Sequence, residues 1–170
     1  MTNLLVIENL FSEYEIQLIK EESNKCSWEL KHVAGKGITK TTRVFWVKDI
    51  INTKLAELFK KKIEAGIKQN IEIRRLKING QSHGQCAEWH TDIDPNSVNF
   101  FSMVYFPNDW LPEYGGHLMI KDNNNKITSI LPEFNKGVIF NSTASHIGLE
   151  PTIHCITQRE SIACIFRVLR

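Results

Sequence analysis

Several features are scarce in this sequence, and each scarcity removes a class of function. The four cysteines, Cys26, Cys86, Cys155 and Cys164, form no C-x-x-C pair, which argues against a zinc knuckle or a dithiol redox centre. No apolar run approaches the roughly 20 residues that a membrane-spanning helix needs. Met1–Leu10 has no basic start and carries Glu8, so it does not resemble a secretory leader. Free thiols without a leader predict a reducing, cytoplasmic setting. Charge of one sign is scarce too. A formal net charge of +2 and the lack of an aromatic-rich basic patch argue against a nucleic-acid partner. Lys60, Lys61 and Lys62, and then Arg74 and Arg75, read as a solvated helix face and a strand entry. There is no internal repeat and no low-complexity tract.

What remains is enough for one globular domain over residues 1–170, long enough to bury a core without disulfide staples. Leu4–Ile7 predicts a short strand. Ser12 followed by Glu15 predicts a capping box, and Tyr14, Ile16, Leu18 and Ile19 suit a helix after it. Residues 32–42 carry Gly35, Gly37 and three threonines without apolar periodicity, and predict a loop. Arg43–Val47 predicts a strand. In Ile50–Gln69, Ile51, Leu55, Leu58, Phe59 and Ile63 form one stripe among lysines and glutamates, the pattern of an amphipathic helix. From Ile71 on the texture is β: Ile71–Ile78, Val98–Phe106, His117–Ile120, Lys126–Leu131, Gly137–Phe140 and Ser161–Val168, separated by turn signals such as Asn79-Gly80 and Gly115-Gly116. Helices first and many short strands afterwards predict a mainly β, α+β fold with a sandwich or barrel core.

The chemistry centres on Trp89-His90-Thr91-Asp92. In an extended segment, residues two apart point to the same side, so His90 and Asp92 can offer an imidazole and a carboxylate to one metal ion. A third histidine from a distant strand would complete a two-histidine, one-carboxylate face. That face leaves positions open on the metal and suits non-haem iron(II) that must bind a co-substrate and dioxygen. His146, His154, His32, His83 and His117 are all available. Arg159, thirteen residues after His146 and at the start of the last predicted strand, favours His146. Its forked, permanently charged guanidinium can fix the far carboxylate of a dicarboxylate. Arg159 is only five positions after His154, which leaves little room for a turn between neighbouring strands.

A set of segments resembles the prolyl 4-hydroxylase-like branch of the iron(II)- and 2-oxoglutarate-dependent oxygenases. In order they are Asn79–Gln85, Trp89–Asp92, Tyr105–Trp110 with its Asn-Asp-Trp turn, Tyr114–Leu118 around Gly115-Gly116, Pro132 with Gly137–Phe140, His146–Pro151 and Arg159–Ile162. Together they span about residues 71–168. The resemblance implies a double-stranded β-helix, a distorted jelly roll with helices packed on one sheet. It implies iron ligation by His90, Asp92 and His146, with Arg159 pairing with the far carboxylate of 2-oxoglutarate and Tyr105 donating its hydroxyl to the same group. Two positions depart from the family pattern. Gln81 stands where many members have a tyrosine beside the co-substrate, and His117 follows the Gly-Gly pair where an acidic residue is common.

The activity implied is hydroxylation of an unactivated C–H bond by iron(II), 2-oxoglutarate and dioxygen, with succinate and carbon dioxide as co-products and ascorbate as reductant. The acceptor implied is a prolyl residue in a peptide or protein. The loop at 32–42 falls where family members carry a mobile lid, and Arg43 and Trp46 after it are candidate substrate contacts. Two other readings stand beside this one: a hydroxylase of a free amino acid or other small metabolite, and a non-catalytic β-helix that binds a ligand. A metabolite enzyme should show a closed pocket with a second anchor for a carboxylate; a peptide enzyme should show an open groove.

Overall fold

A computed structural model describes residues 4–32, 44–50 and 54–169. The chain begins with β1 (Leu4–Ile7) and α1 (Glu13–Asn24), followed by β2 (Glu29–His32), β3 (Val44–Asp49) and α2 (Lys54–Ile67). Then come β4 (Ile71–Gln81), β5 (Phe100–Phe106), a 3-10 turn at Pro112–Tyr114, β6 (Leu118–Lys121), β7 (Ile127–Ile130), β8 (Lys136–Asn141), β9 (His146–Gly148) and β10 (Arg159–Val168). The expected loop at 33–42, Arg43 and the first turn of the expected second helix lie outside the described residues.

Local chemistry explains both helices. Ser12 and Glu15 exchange the two bonds of a capping box, with Glu15 accepting from Ser12 N at 2.8 Å and Ser12 Oγ accepting from Glu15 N at 3.4 Å. In α2 the fully buried Leu55, Phe59 and Ile63 recur every four residues and form the stripe that meets the core.

The strands form two antiparallel sheets. Seven lie in the order β1-β8-β5-β10-β4-β3-β2, and three in the order β7-β6-β9. Alternation along each strand of the large sheet divides its side chains between two cores. Leu76, Ile78, Met103, Tyr105, Ile162, Cys164 and Phe166 face the helices and pack with Phe11, Leu55, Phe59 and Ile63. Val104, Phe106, Val138 and Phe140 face the other way and meet Leu118, Ile120 and Ile130 of the small sheet. Two facing sheets with helices on the outer face of the larger one make a double-stranded β-helix, as expected.

The same alternation corrects two expectations. Tyr105 points to the helix side. Its ring meets Phe11 and Phe59 edge-on at 4.8 and 5.9 Å, and its hydroxyl donates to Asn135 Oδ1 at 3.4 Å. It therefore turns its back on Arg159's side of the sheet, and its neighbours on that strand that face inward are Val104 and Phe106. Trp46 is paired with Gly80, between the inward-facing Asn79 and Gln81, so it too lies on the outer face. Its neighbour Phe45 is the β3 residue that faces inward.

Candidate metal and co-substrate site

Between the sheets lies a cavity lined by Phe45, by Arg75, Lys77, Asn79 and Gln81 of β4, by His90, Asp92 and His146, and by Arg159, Ser161 and Ala163 of β10, among others. The β4 and β10 residues are every second one in sequence, the inward set of a pleated strand. At one end, His90, Asp92 and His146 each bring one ligand atom within 4.8 Å of the others. His83 and His154 are exposed, and neither they nor His117 belong to that group.

The backbone builds this cluster without a regular strand at His90. His90 and His146 exchange a pair of amide hydrogen bonds, at 3.0 and 2.9 Å, and Asp92 N donates to Ser142 O at 3.0 Å. The H-x-D segment is thereby stitched to β9 and the turn before it. Each imidazole is then oriented by its own neighbour: His90 Nδ1 lies 2.7 Å from Glu88 O and His146 Nδ1 lies 3.0 Å from Ala144 O. A ring nitrogen facing a carbonyl must carry the proton, so Nε2 is left as a lone pair on both rings, the tautomer a metal needs. Asp92 receives Arg75 Nη2 at 2.6 Å and Ser102 Oγ at 2.6 Å, and its Oδ2 lies 3.6 Å from His146 Nε2. Burial opposes the Asp92 charge, but His146, Arg75, Ser102 and His90 outweigh it and hold the carboxyl below its ordinary range. Burial pulls His146 down, His90 adds to this, and Asp92 opposes it. Ionised carboxylate and neutral imidazole are the forms that ligate a divalent cation, so the donor set fits one.

At the other end, Arg159 is only 2% exposed. Its Nε donates to Gly116 O at 2.6 Å and its Nη1 donates to Gln81 Oε1 at 2.8 Å. Gln81 is itself held, with Nε2 donating to Gln85 O at 2.8 Å and Gly148 O at 3.2 Å. Nη2 donates none of these bonds, and no carboxylate pairs with Arg159 among the described residues. Burial brings the guanidinium down to about 10, with Cys86 opposing, which leaves it charged at neutral pH. Gln81 thus stands beside the cation.

Sequence reasoning missed Arg75, Lys77, Asn79 and Ser102. The run Arg75, Lys77, Asn79, Gln81 alternates with Leu76 and Ile78 and looks like the wet face of a half-buried strand. In fact it faces the interior of the β-helix. Asn79 Oδ1 and Arg75 Nε are buried without a hydrogen-bond partner. Burial first, and Arg75 next to it, bring the Lys77 ammonium down to about 8, against the pull of Asp92 and Asp49.

A jelly roll with a two-histidine, one-carboxylate cluster at one end of its cavity and an unpaired arginine at the other defines a class of metal-dependent oxygenase. The chain belongs to the 2OG-Fe(II) oxygenase superfamily, whose family model matches residues 76–167. No curated protein sequence matches it. Among solved structures it resembles an oxidoreductase of the 2OG-Fe(II) oxygenase family from Burkholderia pseudomallei, with a TM-score of 0.77 and 14% identity over 97% of this chain and 85% of that one. A prolyl hydroxylase from Trichoplax adhaerens, in complex with a hypoxia inducible factor oxygen degradation domain peptide fragment, gives a TM-score of 0.73 and 13% identity over 99% of this chain and 84% of that one. HygX from Streptomyces hygroscopicus, with nickel, 2-oxoglutarate and hygromycin B bound, gives 0.69 and 9% over 98% and 83%. At these identities the likeness is one of fold. Membership of the superfamily implies iron(II), 2-oxoglutarate and dioxygen. No helix among the described residues is long and apolar enough to cross a membrane.

Proposed function

We propose that this chain is a hydroxylase, built as a single oxygenase domain, in which His90, Asp92 and His146 hold iron(II) and Arg159 binds the far carboxylate of 2-oxoglutarate. The observation that carries the reading is the pairing of the His-Asp-His group with a buried, carboxylate-free arginine across one cavity. When bound, iron, 2-oxoglutarate and dioxygen supply the oxidising power that hydroxylates a C–H bond, with succinate and carbon dioxide as co-products. The residues supply orientation. Glu88 O and Ala144 O hold the two imidazoles in the ligating tautomer. Arg75 and Ser102 keep Asp92 ionised and fixed. Gly116 O and Gln81 aim the Arg159 guanidinium, and the Phe106 ring, its centroid 5.7 Å from the guanidinium carbon, shields it from water. Four unpaired thiols accord with a reducing, cytoplasmic setting, and ascorbate would serve as reductant.

For the acceptor we propose a prolyl residue in a peptide or protein, on the strength of the segment-by-segment resemblance to prolyl 4-hydroxylases. A second reading, hydroxylation of a free amino acid or other small metabolite, is favoured by Lys77, a second cation in the same cavity. The test is 2-oxoglutarate turnover by the pure protein with iron(II), ascorbate and oxygen, with and without proline-rich peptides. Succinate formation that vanishes in His90→Ala is the expected result, and one oxygen added to the peptide is the outcome that the prolyl-peptide reading requires. A protein that binds neither iron(II) nor 2-oxoglutarate overturns the oxygenase reading; turnover indifferent to every peptide overturns the prolyl-peptide reading alone.

A further inference from the structure

The cavity's charges do not balance. Its lining holds three permanent or near-permanent cations, Arg75, Lys77 and Arg159, against one carboxylate, Asp92. Arg75 is spoken for by Asp92 at 2.6 Å. Arg159 is spoken for, on the reading above, by 2-oxoglutarate. Iron(II) and the 2-oxoglutarate dianion cancel each other, so loading the site leaves Lys77 as uncompensated as before. Its cross-strand neighbour on β3 is Asp49, but that carboxylate is bound by Lys31 at 2.8 Å. No carboxylate of the described residues pairs with Lys77. Lys77 is half-buried, and an ammonium partly withdrawn from water without a carboxylate partner is unfavourable, so an anion entering the cavity would find it available.

Position separates Lys77 from the co-substrate's cation. Arg159 pairs in register with Gln81, and Lys77 pairs with Ala163, four residues further along both strands, which is about 13 Å of strand. Between Lys77 and Gln81, on the same inward face, Asn79 presents its buried and unpartnered Oδ1. A cation and a bare amide oxygen two residues apart on one strand face complement a ligand that carries a carboxylate and an N–H donor on the same carbon.

We infer that Lys77 is the docking point for a carboxylate of the acceptor substrate, with Asn79 Oδ1 accepting from its nitrogen, and that the substrate is an amino acid or a similarly small amino-carboxylate. This rests on the oxygenase reading and decides between its two acceptors. An interior prolyl residue of a peptide has neither a free carboxylate nor an N–H to offer at that point. Lys77 and Asn79 are specificity-determining residues that act on the substrate and not on the metal or on 2-oxoglutarate.

The test uses the full chain loaded with manganese(II) and 2-oxoglutarate and titrates it by calorimetry with the common free L-amino acids, proline among them. Each binder is compared with its own carboxamide, and an amidated proline-rich peptide without acidic residues is the control. The expected result is that at least one amino acid binds, that its carboxamide binds about tenfold or more weakly, and that Lys77→Met imposes a similar loss. Lys77→Met should leave 2-oxoglutarate affinity unchanged and should not lower the melting temperature, since it removes an unpaired charge. Lys77→Arg should keep much of the binding, which a merely structural lysine would not predict. The proposal is overturned if no amino acid binds, if carboxamides bind as well as acids, if the amidated peptide binds regardless of Lys77, or if Lys77→Met loses 2-oxoglutarate instead. Failure of the wild-type chain to take up manganese and 2-oxoglutarate shows itself before any amino acid is added. It would sink the oxygenase reading and this inference with it.

Discussion

A buried guanidinium with no carboxylate beside it would be unfavourable unless its N–H groups found acceptors, and two neighbours supply them for Nε and Nη1 of Arg159. Gln81 accepts from Nη1, and Gly116 does so through its carbonyl while also leaving room. A Cβ at Gly116 would sit 2.8 Å from Arg159 Cδ, and φ there is +67°, so Gly116→Ala strains the backbone and displaces the arginine together. That variant should bind 2-oxoglutarate at least about tenfold more weakly, read as a raised KM or by calorimetry, with iron binding retained. Gln81→Leu should do the same by leaving Nη1 without an acceptor. Tyr105→Phe, by contrast, should leave 2-oxoglutarate affinity unchanged and lower stability by about 1 kcal/mol or less, because its hydroxyl serves Asn135 in the helix-side core. A loss of co-substrate binding in Tyr105→Phe would contradict the placement of that ring. Val104 and Tyr105 show why this was hard to read from sequence: a shift of one residue along a strand exchanges the two faces. Both residues suit either face until the neighbouring strands are known.

At the scale of elements, the helices were the most legible. The Ser12–Glu15 box and the Leu55, Phe59, Ile63 stripe are local patterns, and local patterns need no partner to be recognised. The C-terminal end of α2 is joined to β4 by Glu64, which accepts from Ile71 N at 2.9 Å and pairs with Lys60 at 3.0 Å. The Ile71 amide is the main cause of its lowered pKa, with burial opposing and Lys60 assisting. A carboxyl whose folded pKa is depressed contributes stability above its unfolded pKa and loses it as pH falls through the folded value. Thermal melts should therefore show the wild type losing, below about pH 4.3, an advantage over Glu64→Gln that it holds at neutral pH. Glu64→Ala, which removes the acceptor altogether, should be the less stable variant at both pH values. β9 was not legible: three residues, His146–Gly148, are too few for a periodicity, and they become a strand only because β6 and the His90 segment bond to either side.

For the whole molecule, the His90, Asp92 and His146 group brings together the H-x-D segment between β4 and β5 and β9 of the small sheet, which backbone hydrogen bonds also join. A cation bound there should stabilise the folded state by mass action, by about 2.7 kcal/mol at a hundred times its Kd. For a chain of this size that is a rise in melting temperature of about 5–10 °C, to be seen by differential scanning with manganese(II), reversed by a chelator and absent in Asp92→Ala. The sequence by itself determined the class of chemistry. Ligand types and Arg159 are carried by residue identity and order, and the helices and most strands by periodicity within a dozen residues. Tertiary structure decided which way each strand faces. Pairing set Gln81, Asn79, Lys77 and Arg75 toward the cavity and Tyr105 and Trp46 away from it. The physical reason is the two-residue repeat of a strand: it states that two faces differ, and only the sheets packed on either side determine which face is inside.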